Sequence, residues 1–288
     1  KGELVINVGP TTKPYFDNYE EAYRKAITFW SNFDQPTKYW VLIYNYEDKP
    51  WAKEQIENAS FLEQKSKTLG IVDAPCHGSV CSGANAGIRA YSSVGLGVVG
   101  IHQQDSRQPY RYEPLQIHEY THAVQAAPWI GDDSPNGGQQ RAAPCWPGEG
   151  TPHFAGLTVG TDSYDDYLKI RAQQVWGDLF SRRPRVPSFD DFSPSKIVEY
   201  YDTSMPCPYP PEGNYQLGLS LGFLTIEALS AIGGSDSSMN LYKLMKNNTF
   251  SEAFELTYGS PWDEAKHILA SVVSANISDI ENNIAEYR

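Results

Sequence analysis

The first hundred residues alternate between helical and strand-like hydrophobic patterns. Residues 17–30 repeat apolar side chains at helical spacing and predict a helix, while residues 38–48 carry the aromatic and β-branched side chains of a strand. A second helix is predicted over residues 51–66 and a second strand over residues 94–103. Residues 70–91 are rich in Gly, Ser and Cys and are expected to form a loop. This alternation predicts a mixed α/β subdomain.

From Glu113 onward, strand-like patterns nearly disappear and helical spacing dominates. Residues 113–127 predict a helix with Pro114 near its first turn, where proline is tolerated, and residues 131–148 are turn-rich. Further helices are predicted over residues 152–158, 163–180, 193–201, 214–232, 237–246, 249–257 and 261–283. The predicted fold class is α+β, with a mixed α/β subdomain over residues 1–112 and a mainly helical subdomain over residues 113–288.

The composition of the 288 residues is that of a globular protein and excludes some function classes. The net charge of −12, from 35 acidic and 23 basic residues, argues against a nucleic-acid partner, because phosphate binding needs a positive surface. The most apolar stretch, residues 217–232, is too short for a membrane span and contains Glu227. Aromatic residues make up 13% of the chain, enough to line a peptide-binding or sugar-binding cleft as well as a core.

The four cysteines contain no Cys-x-x-Cys pair, so a structural zinc knuckle is not expected. Two disulfides are the better interpretation. Cys76 and Cys81 would close a small loop, and Cys145 and Cys207 would join two distant segments, although four cysteines allow three pairings. Disulfides form in oxidising compartments, so we expect a secreted or otherwise exported protein.

The strongest chemical signal is the sequence His118-Glu119-Tyr120-Thr121-His122. Two histidines four residues apart on a helix project from one face, so their imidazoles can share one zinc ion. Glu119 follows the first histidine and is placed to take a proton from a water molecule. Apolar residues flank the motif, which indicates a largely buried helix whose polar side chains need partners. The motif therefore predicts a catalytic zinc site.

A catalytic zinc needs a third protein ligand, and the residues leave several candidates. They are Glu149, His153, and an aspartate from Asp132–Asp133 or from the segment Gly160–Asp165. Pro152 predicts a helix that begins there, with Glu149 just before its entrance. The acidic runs Asp132–Asp133 and Asp162–Asp166 are also candidate calcium sites, with solvated loops as the alternative interpretation.

The order of HEYTHAVQ and the later Trp146-Pro147-Gly148-Glu149-Gly150 resembles the gluzincin metallopeptidases, a group that includes thermolysin and the aminopeptidase N type. In that family an HExxH helix is followed by a Glu-Gly pair whose glutamate is the third zinc ligand. The resemblance covers roughly residues 94–265 and implies a zincin-like fold. It also implies that Glu149 completes the zinc site with His118 and His122.

Two further segments are similar to the same family. Tyr215, three residues before Gly218, looks like the family's Tyr-x-x-Gly tyrosine, which implies that its hydroxyl stabilises the oxyanion. The strand before the zinc helix looks like the family's edge strand, which binds substrate by β-pairing. The resemblance thus implies substrate-binding residues at Gly95, Leu96, Gly97 and Val98, with the glycines admitting a peptide backbone. His153 is expected to line the cleft.

The function expected from these residues is zinc-dependent hydrolysis of peptide bonds in a peptide or protein substrate. Glu119 would act as general base toward water and then as acid toward the leaving amine. Two alternatives remain open. One is a zinc hydrolase of a non-peptide amide or ester. The other is a secreted peptide-binding or glycan-binding module with a zincin fold, against which Glu119 argues, since structural zinc needs no base.

Overall fold

The structure is a computed structural model with an α+β fold, which confirms the predicted class. The chain divides into two compact units, Lys1–Asp133 and Ser134–Arg288. The predicted boundary after residue 112 marks the change from mixed to helical patterns and stays a prediction. The residues described by the structure are 2–14, 18–62, 68–88, 93–102, 112–131, 143–181, 191–204 and 217–287.

The N-terminal unit is built on a small mixed sheet. Its strands are β1 (Glu3–Val8), β2 (Lys38–Tyr44), β3 (Cys76–His77), β4 (Val80–Cys81), β5 (Gly83–Ile88) and β6 (Val94–Gly100). Four of them form one sheet in the order β1-β2-β6-β5, in which β1, β2 and β6 are parallel and β5 is antiparallel to β6. Strands β3 and β4 form a separate two-stranded hairpin, which is closed by the predicted Cys76–Cys81 disulfide.

Helices cover both faces of this sheet. They are α1 (Tyr19–Phe29), α2 (Lys49–Asn58) and α3 (Tyr112–Ala126), with short 3-10 turns at Gly70–Asp73 and Ala127–Trp129. Alternate residues of a strand face opposite sides of the sheet, so β2 contributes side chains to the packing on both faces. Its Trp40 and Leu42 join Ile56 of α2 in one cluster. On the other side, the ring of Tyr39 contacts Tyr23 of α1 and Tyr120 of α3.

The expectation that the strand before α3 is an edge strand is wrong. Strand β6 lies between β2 and β5, so both of its hydrogen-bonding edges are occupied. The end strands of the sheet are β1 and β5, and β5 lies within residues 70–91, which were expected to form a loop. Its sequence GANAGI lacks the β-branched and aromatic residues that usually mark strands, apart from Ile88. Pairing with β6, rather than local propensity, makes this segment a strand.

The described residues of the C-terminal unit form helices and connecting turns, with no strand among them. Its helices are α4 (Cys145–Gly160), α5 (Tyr164–Trp176), α6 (Pro194–Thr203), α7 (Phe223–Gly233), α8 (Ser237–Met245), α9 (Phe250–Tyr258) and α10 (Trp262–Asn283), with π-helical turns at Gly177–Ser181 and Gly218–Gly222 and a 3-10 turn at Ile284–Tyr287. An aromatic cluster forms the core, where Trp146 of α4 stacks on Trp262 of α10 at a ring separation of 5.4 Å. Phe250 and Tyr201 also contact Trp146.

None of the helices within the described ranges has both the length and the apolar composition of a membrane span. Gly218–Gly233 and Ser237–Met245 pass that test only when taken together, and a bend of 101° separates them. The predicted Cys145–Cys207 pairing involves Cys207, which lies outside the described residues.

Candidate metal centre

The two histidines of α3 point their Nε2 atoms at each other. These atoms are 3.1 Å apart, and the two ring centroids are 4.8 Å apart. A tetrahedral ion at about 2.0–2.1 Å from each nitrogen would separate two such ligands by roughly 3.3 Å. His118 is 7% exposed and His122 is partly buried. The spacing of four residues on the helix therefore brings the two Nε2 atoms to a separation close to that of two zinc ligands.

Gln125 orients the second histidine, a role that the sequence analysis missed. Nδ1 of His122 donates to Oε1 of Gln125 at 3.1 Å, and Gln125 is fully buried. A hydrogen bond at Nδ1 selects the tautomer whose Nε2 lone pair is available to a metal. The available signal was the i, i+3 spacing from His122, which places both side chains on one face of the helix.

Helix α3 is held in place by side-chain hydrogen bonds to α1 and the segment that follows α1. The bonds run from the Tyr23 hydroxyl to Oε1 of Gln116, from Nε1 of Trp30 to Oγ1 of Thr121 at 2.9 Å, and from the Tyr120 hydroxyl to Oε1 of Gln35 at 2.6 Å. Each such bond stabilises the fold by about 1 kcal/mol net. A buried donor or acceptor that is left without a partner destabilises the fold by more than that. These hydrogen bonds fix the rotation of the helix and therefore the direction of its histidines.

Glu119 is only 6% exposed, and its charge acts on two buried tyrosines. Burial raises the pKa of the Tyr23 hydroxyl well above its usual value, and the charge of Glu119 raises it further. The Tyr39 hydroxyl shows the same direction, with burial as the main cause and Tyr23 and Glu119 adding to it. Both tyrosines therefore stay protonated and carry no charge beside Glu119. A buried carboxylate beside the histidine pair is suited to accept a proton.

Glu149 lies inside a helix, so the expectation that the helix begins at Pro152 is wrong. Helix α4 begins at Cys145, whose backbone N–H donates to the carbonyl oxygen of Ser204 at 3.1 Å, and Pro152 is within it. An internal proline removes one backbone hydrogen bond and disfavours the helix by about 3 kcal/mol. The packing of α4 in the core evidently outweighs this local preference.

Three glycines bring α4 into backbone contact with the π-helical turn Gly218–Gly222. A Cβ atom on Gly222 would lie 2.2 Å from the carbonyl oxygen of Trp146, and one on Gly150 would lie 2.3 Å from the carbonyl carbon of Gly222. A Cβ on Gly218 would lie 3.4 Å from Cβ of Glu149. This glycine seam, formed by Gly150, Gly218 and Gly222, fixes the backbone that carries Glu149. The Gly-x-x-x-Gly spacing in residues 218–222 was its overlooked signal.

His118, His122 and Glu149 form one group that could hold a metal ion, with one ligand atom of each within 4.8 Å of the other two. His118 is buried and the other two are partly buried. Two imidazole nitrogens and one carboxylate oxygen are a donor set that suits zinc and leaves a fourth position for substrate or water. Among the described residues, no other cluster of three His, Cys, Asp or Glu side chains meets the same criterion.

The other predicted ligands lie away from this group or outside the described residues. His153 is buried on α4, where its ring contacts Phe223 edge-on at 5.2 Å, and it is not in the group. The run from Asp162 is exposed or nearly so and begins α5, where the Ser163 hydroxyl accepts the N–H of Asp166. Asp132–Asp133 and Tyr215 lie outside the described residues, so the oxyanion role of Tyr215 stays a prediction.

The predicted substrate strand is buried, and its glycines have another use. Cβ atoms on Gly95 and Gly97 would each lie 2.6 Å from the Tyr39 side chain, at Cδ2 and at Oη respectively. Leu96 and Val98 belong to the hydrophobic cluster on the opposite face of the sheet. The expectation that these four residues pair with a peptide is therefore wrong, because β6 is already paired on both sides.

Comparison with known proteins adds no relative to this picture. No family model, no curated protein and no solved structure matches the chain. The resemblance to gluzincins thus depends on the motifs around His118 and Glu149 and remains a proposal.

Proposed function

We propose that this protein is a zinc-dependent metallopeptidase with a zincin-like catalytic site. The observation that carries the proposal is the convergence of ligand atoms from His118, His122 and Glu149 beside the buried carboxylate-bearing residue Glu119. A structural zinc site is usually closed by four protein ligands, whereas three ligands with a neighbouring base are typical of hydrolytic zinc sites.

The donor set fits zinc, and the base fits hydrolysis. When bound, zinc supplies a Lewis acid that polarises a carbonyl group and increases the acidity of water. Glu119 removes a proton from the water molecule as its oxygen attacks the carbonyl carbon. It then delivers that proton to the amine nitrogen as the carbon–nitrogen bond breaks. The same carboxylate thus ends the cycle ionised, and no proton is lost or gained.

The sheet supports a peptide as the substrate. Within the described residues, β5 is at the end of the sheet, with its outer backbone groups unpaired by another described strand. Helix α3 packs directly against β5. An extended peptide that adds to this edge would run along the helix that carries Glu119, as in other cases of β-strand addition. Gly83, Ala84 and Ala86 of β5 have small side chains, which favours close approach of a peptide backbone.

We further propose that the protein acts outside the cytoplasm. The Cys76–Cys81 disulfide is compatible with an extracellular location, because such bonds persist in oxidising compartments. The export of the chain is a proposal that rests on this bond alone.

The proposal is tested by measuring peptide hydrolysis and zinc content together for wild type and Glu119→Gln. The amide has nearly the shape of the carboxylate but cannot accept the proton, so kcat is expected to fall about 10²- to 10⁴-fold. Zinc content should stay at one ion per chain, because Glu119 is not a ligand. His267→Gln is the matched control, since His267 is exposed on α10 far along the chain from the motif. Full activity of Glu119→Gln, or hydrolysis of esters but never of peptides by wild type, would refute the proposed function.

A further inference from the structure

The layer beneath α3 contains a tyrosine whose position is unusually well defined. Tyr39 projects from β2 toward α1 and α3 and is 2% exposed. Its ring centroid lies 5.4 Å from that of Tyr23 and 4.8 Å from that of Tyr120, the residue after Glu119. Tyr39 is thus packed directly under the turn of α3 that carries the proposed base.

Two glycines of β6 make room for this ring. The Tyr39 side chain occupies the space where side chains at Gly95 and Gly97 would be, and its Oη lies above Gly97. These are alternate residues of the strand, so both face the same side of the sheet as α3. A larger residue at either position would displace the ring. The sheet therefore directs the Tyr39 hydroxyl toward the region under α3.

The Tyr39 hydroxyl lacks a hydrogen-bond partner within the described residues. The neighbouring tyrosines differ: Tyr23 donates to Gln116, and Tyr120 donates to Gln35. Burying an unpaired hydroxyl is unfavourable, and phenylalanine would fill the same space without that cost. The hydroxyl is therefore a poor choice for packing alone, which indicates a role in the site.

Glu119 supplies the acceptor that such a donor needs. It is buried in the same layer, adjacent in sequence to the ring that Tyr39 contacts. Its negative charge acts on Tyr39 strongly enough to be one cause of the raised pKa of that hydroxyl, after burial and Tyr23. The raised pKa keeps the phenol protonated, so the hydroxyl remains a donor throughout the range in which a carboxylate base operates.

We propose that Tyr39 is a positioning residue for Glu119, whose carboxylate it holds in one orientation through a hydrogen bond relayed by one bridging water. The inference rests on the proposed function, because it assigns a partner to the proposed base. A general base must present one oxygen to the reacting water, and a donor on its other oxygen fixes that direction. Loss of a partner of this kind in metal sites typically reduces activity about 10- to 100-fold.

The chain offers a matched pair of variants for the test. Tyr39 and Tyr44 are on the same strand and are both buried, but Tyr44 faces the opposite side and donates to the carbonyl oxygen of Val72 at 2.8 Å. Tyr39→Phe should lower kcat about 10- to 100-fold with little change in KM, zinc content or urea midpoint. Tyr44→Phe should lower the urea midpoint and leave kcat unchanged. Wild-type kcat in a folded, zinc-loaded Tyr39→Phe would overturn the proposal.

A second measurement detects the interaction without any activity. The urea midpoints of wild type, Tyr39→Phe, Glu119→Ala and the double variant form a cycle on the full chain, because Glu119→Ala, unlike Glu119→Gln, leaves no acceptor. We expect a non-additive shift, with Tyr39→Phe having a different effect when Glu119 is replaced. Additive shifts would overturn the proposal even if Tyr39→Phe is inactive. Non-additive shifts in a wild-type protein that hydrolyses no peptide would refute the proposed function and leave the Tyr39–Glu119 interaction established.

Discussion

The glycine seam makes the position of Glu149 sensitive to a single methyl group. In Gly222→Ala, the new Cβ would lie 2.2 Å from the carbonyl oxygen of Trp146. A carbon atom normally keeps about 3.3 Å from an oxygen, so helix α4 or the turn must move by about 1 Å. Backbone atoms, rather than the end of a flexible side chain, form the obstacle. Glu149 is three residues beyond Trp146 on the same helix and moves with it.

The expected magnitudes follow from this shift. Overpacking a well-packed region costs about 1–3 kcal/mol of unfolding free energy. Zinc ligand distances tolerate about 0.2 Å, so a displacement of about 1 Å that is taken up by α4 removes Glu149 from the coordination sphere. Zinc sites with four protein ligands bind with about 10–16 kcal/mol, or roughly 2.5–4 kcal/mol per ligand. We therefore expect zinc to bind about 10²- to 10³-fold more weakly to Gly222→Ala.

Urea unfolding and zinc competition with a chromophoric chelator measure the two effects separately. Gly177→Ala is the control, because Gly177 begins the other π-helical turn and no atom outside its neighbours lies within 4 Å of its Cβ position. That variant should be as stable as wild type or slightly more stable, since alanine loses less backbone entropy. Wild-type zinc affinity and stability in Gly222→Ala would show that α4 is not held by the seam.

Two further variants test the ligand set. Glu149→Ala should weaken zinc binding about 10²- to 10³-fold with little change in fold. The control Glu255→Ala, at an exposed position on α9, should bind zinc like wild type. Full zinc retention in Glu149→Ala, measured by mass spectrometry, would show that another residue is the third ligand. Gln125→Ala removes the acceptor for Nδ1 of His122 and should lower zinc affinity about 10- to 100-fold. Gln125→Glu keeps an acceptor and should bind zinc nearly as tightly as wild type. Equal zinc affinities for the two variants would exclude the orienting role of Gln125.

The histidine pair was predictable because its geometry is local. A spacing of four residues on a helix is enough to bring two side chains together, and the structure places their Nε2 atoms 3.1 Å apart. Gln125 depends on the same periodicity and was overlooked only because an amide is not a metal ligand. The α+β class followed in the same way from the periods of the first and second halves of the chain.

The mistakes concern residues whose state is decided by distant partners. Pro152 is a strong local signal for a helix start, but α4 begins seven residues earlier because its core packing outweighs one lost hydrogen bond. Strand β5 carries almost no strand propensity and exists through pairing with β6. Gly95 and Gly97 were recognised as sites of close approach, yet the approaching group is the ring of Tyr39 and not a substrate.

Residues of the site that depend on local geometry should respond to substitution differently from residues that depend on distant partners. The pair His118 and His122, with Gln125, depends on one helix, so substitutions there should reduce zinc affinity while the rest of the fold persists. Glu149 depends on backbone contacts that Gly150 and Gly222 permit, so substitutions there should reduce stability and zinc affinity together. Tyr39 belongs to a third class, because its hydroxyl contributes no described hydrogen bond to stability. Variants of these three classes should therefore separate along two measured axes, the urea midpoint and the zinc affinity, and only the Tyr39 class should lose turnover while keeping both.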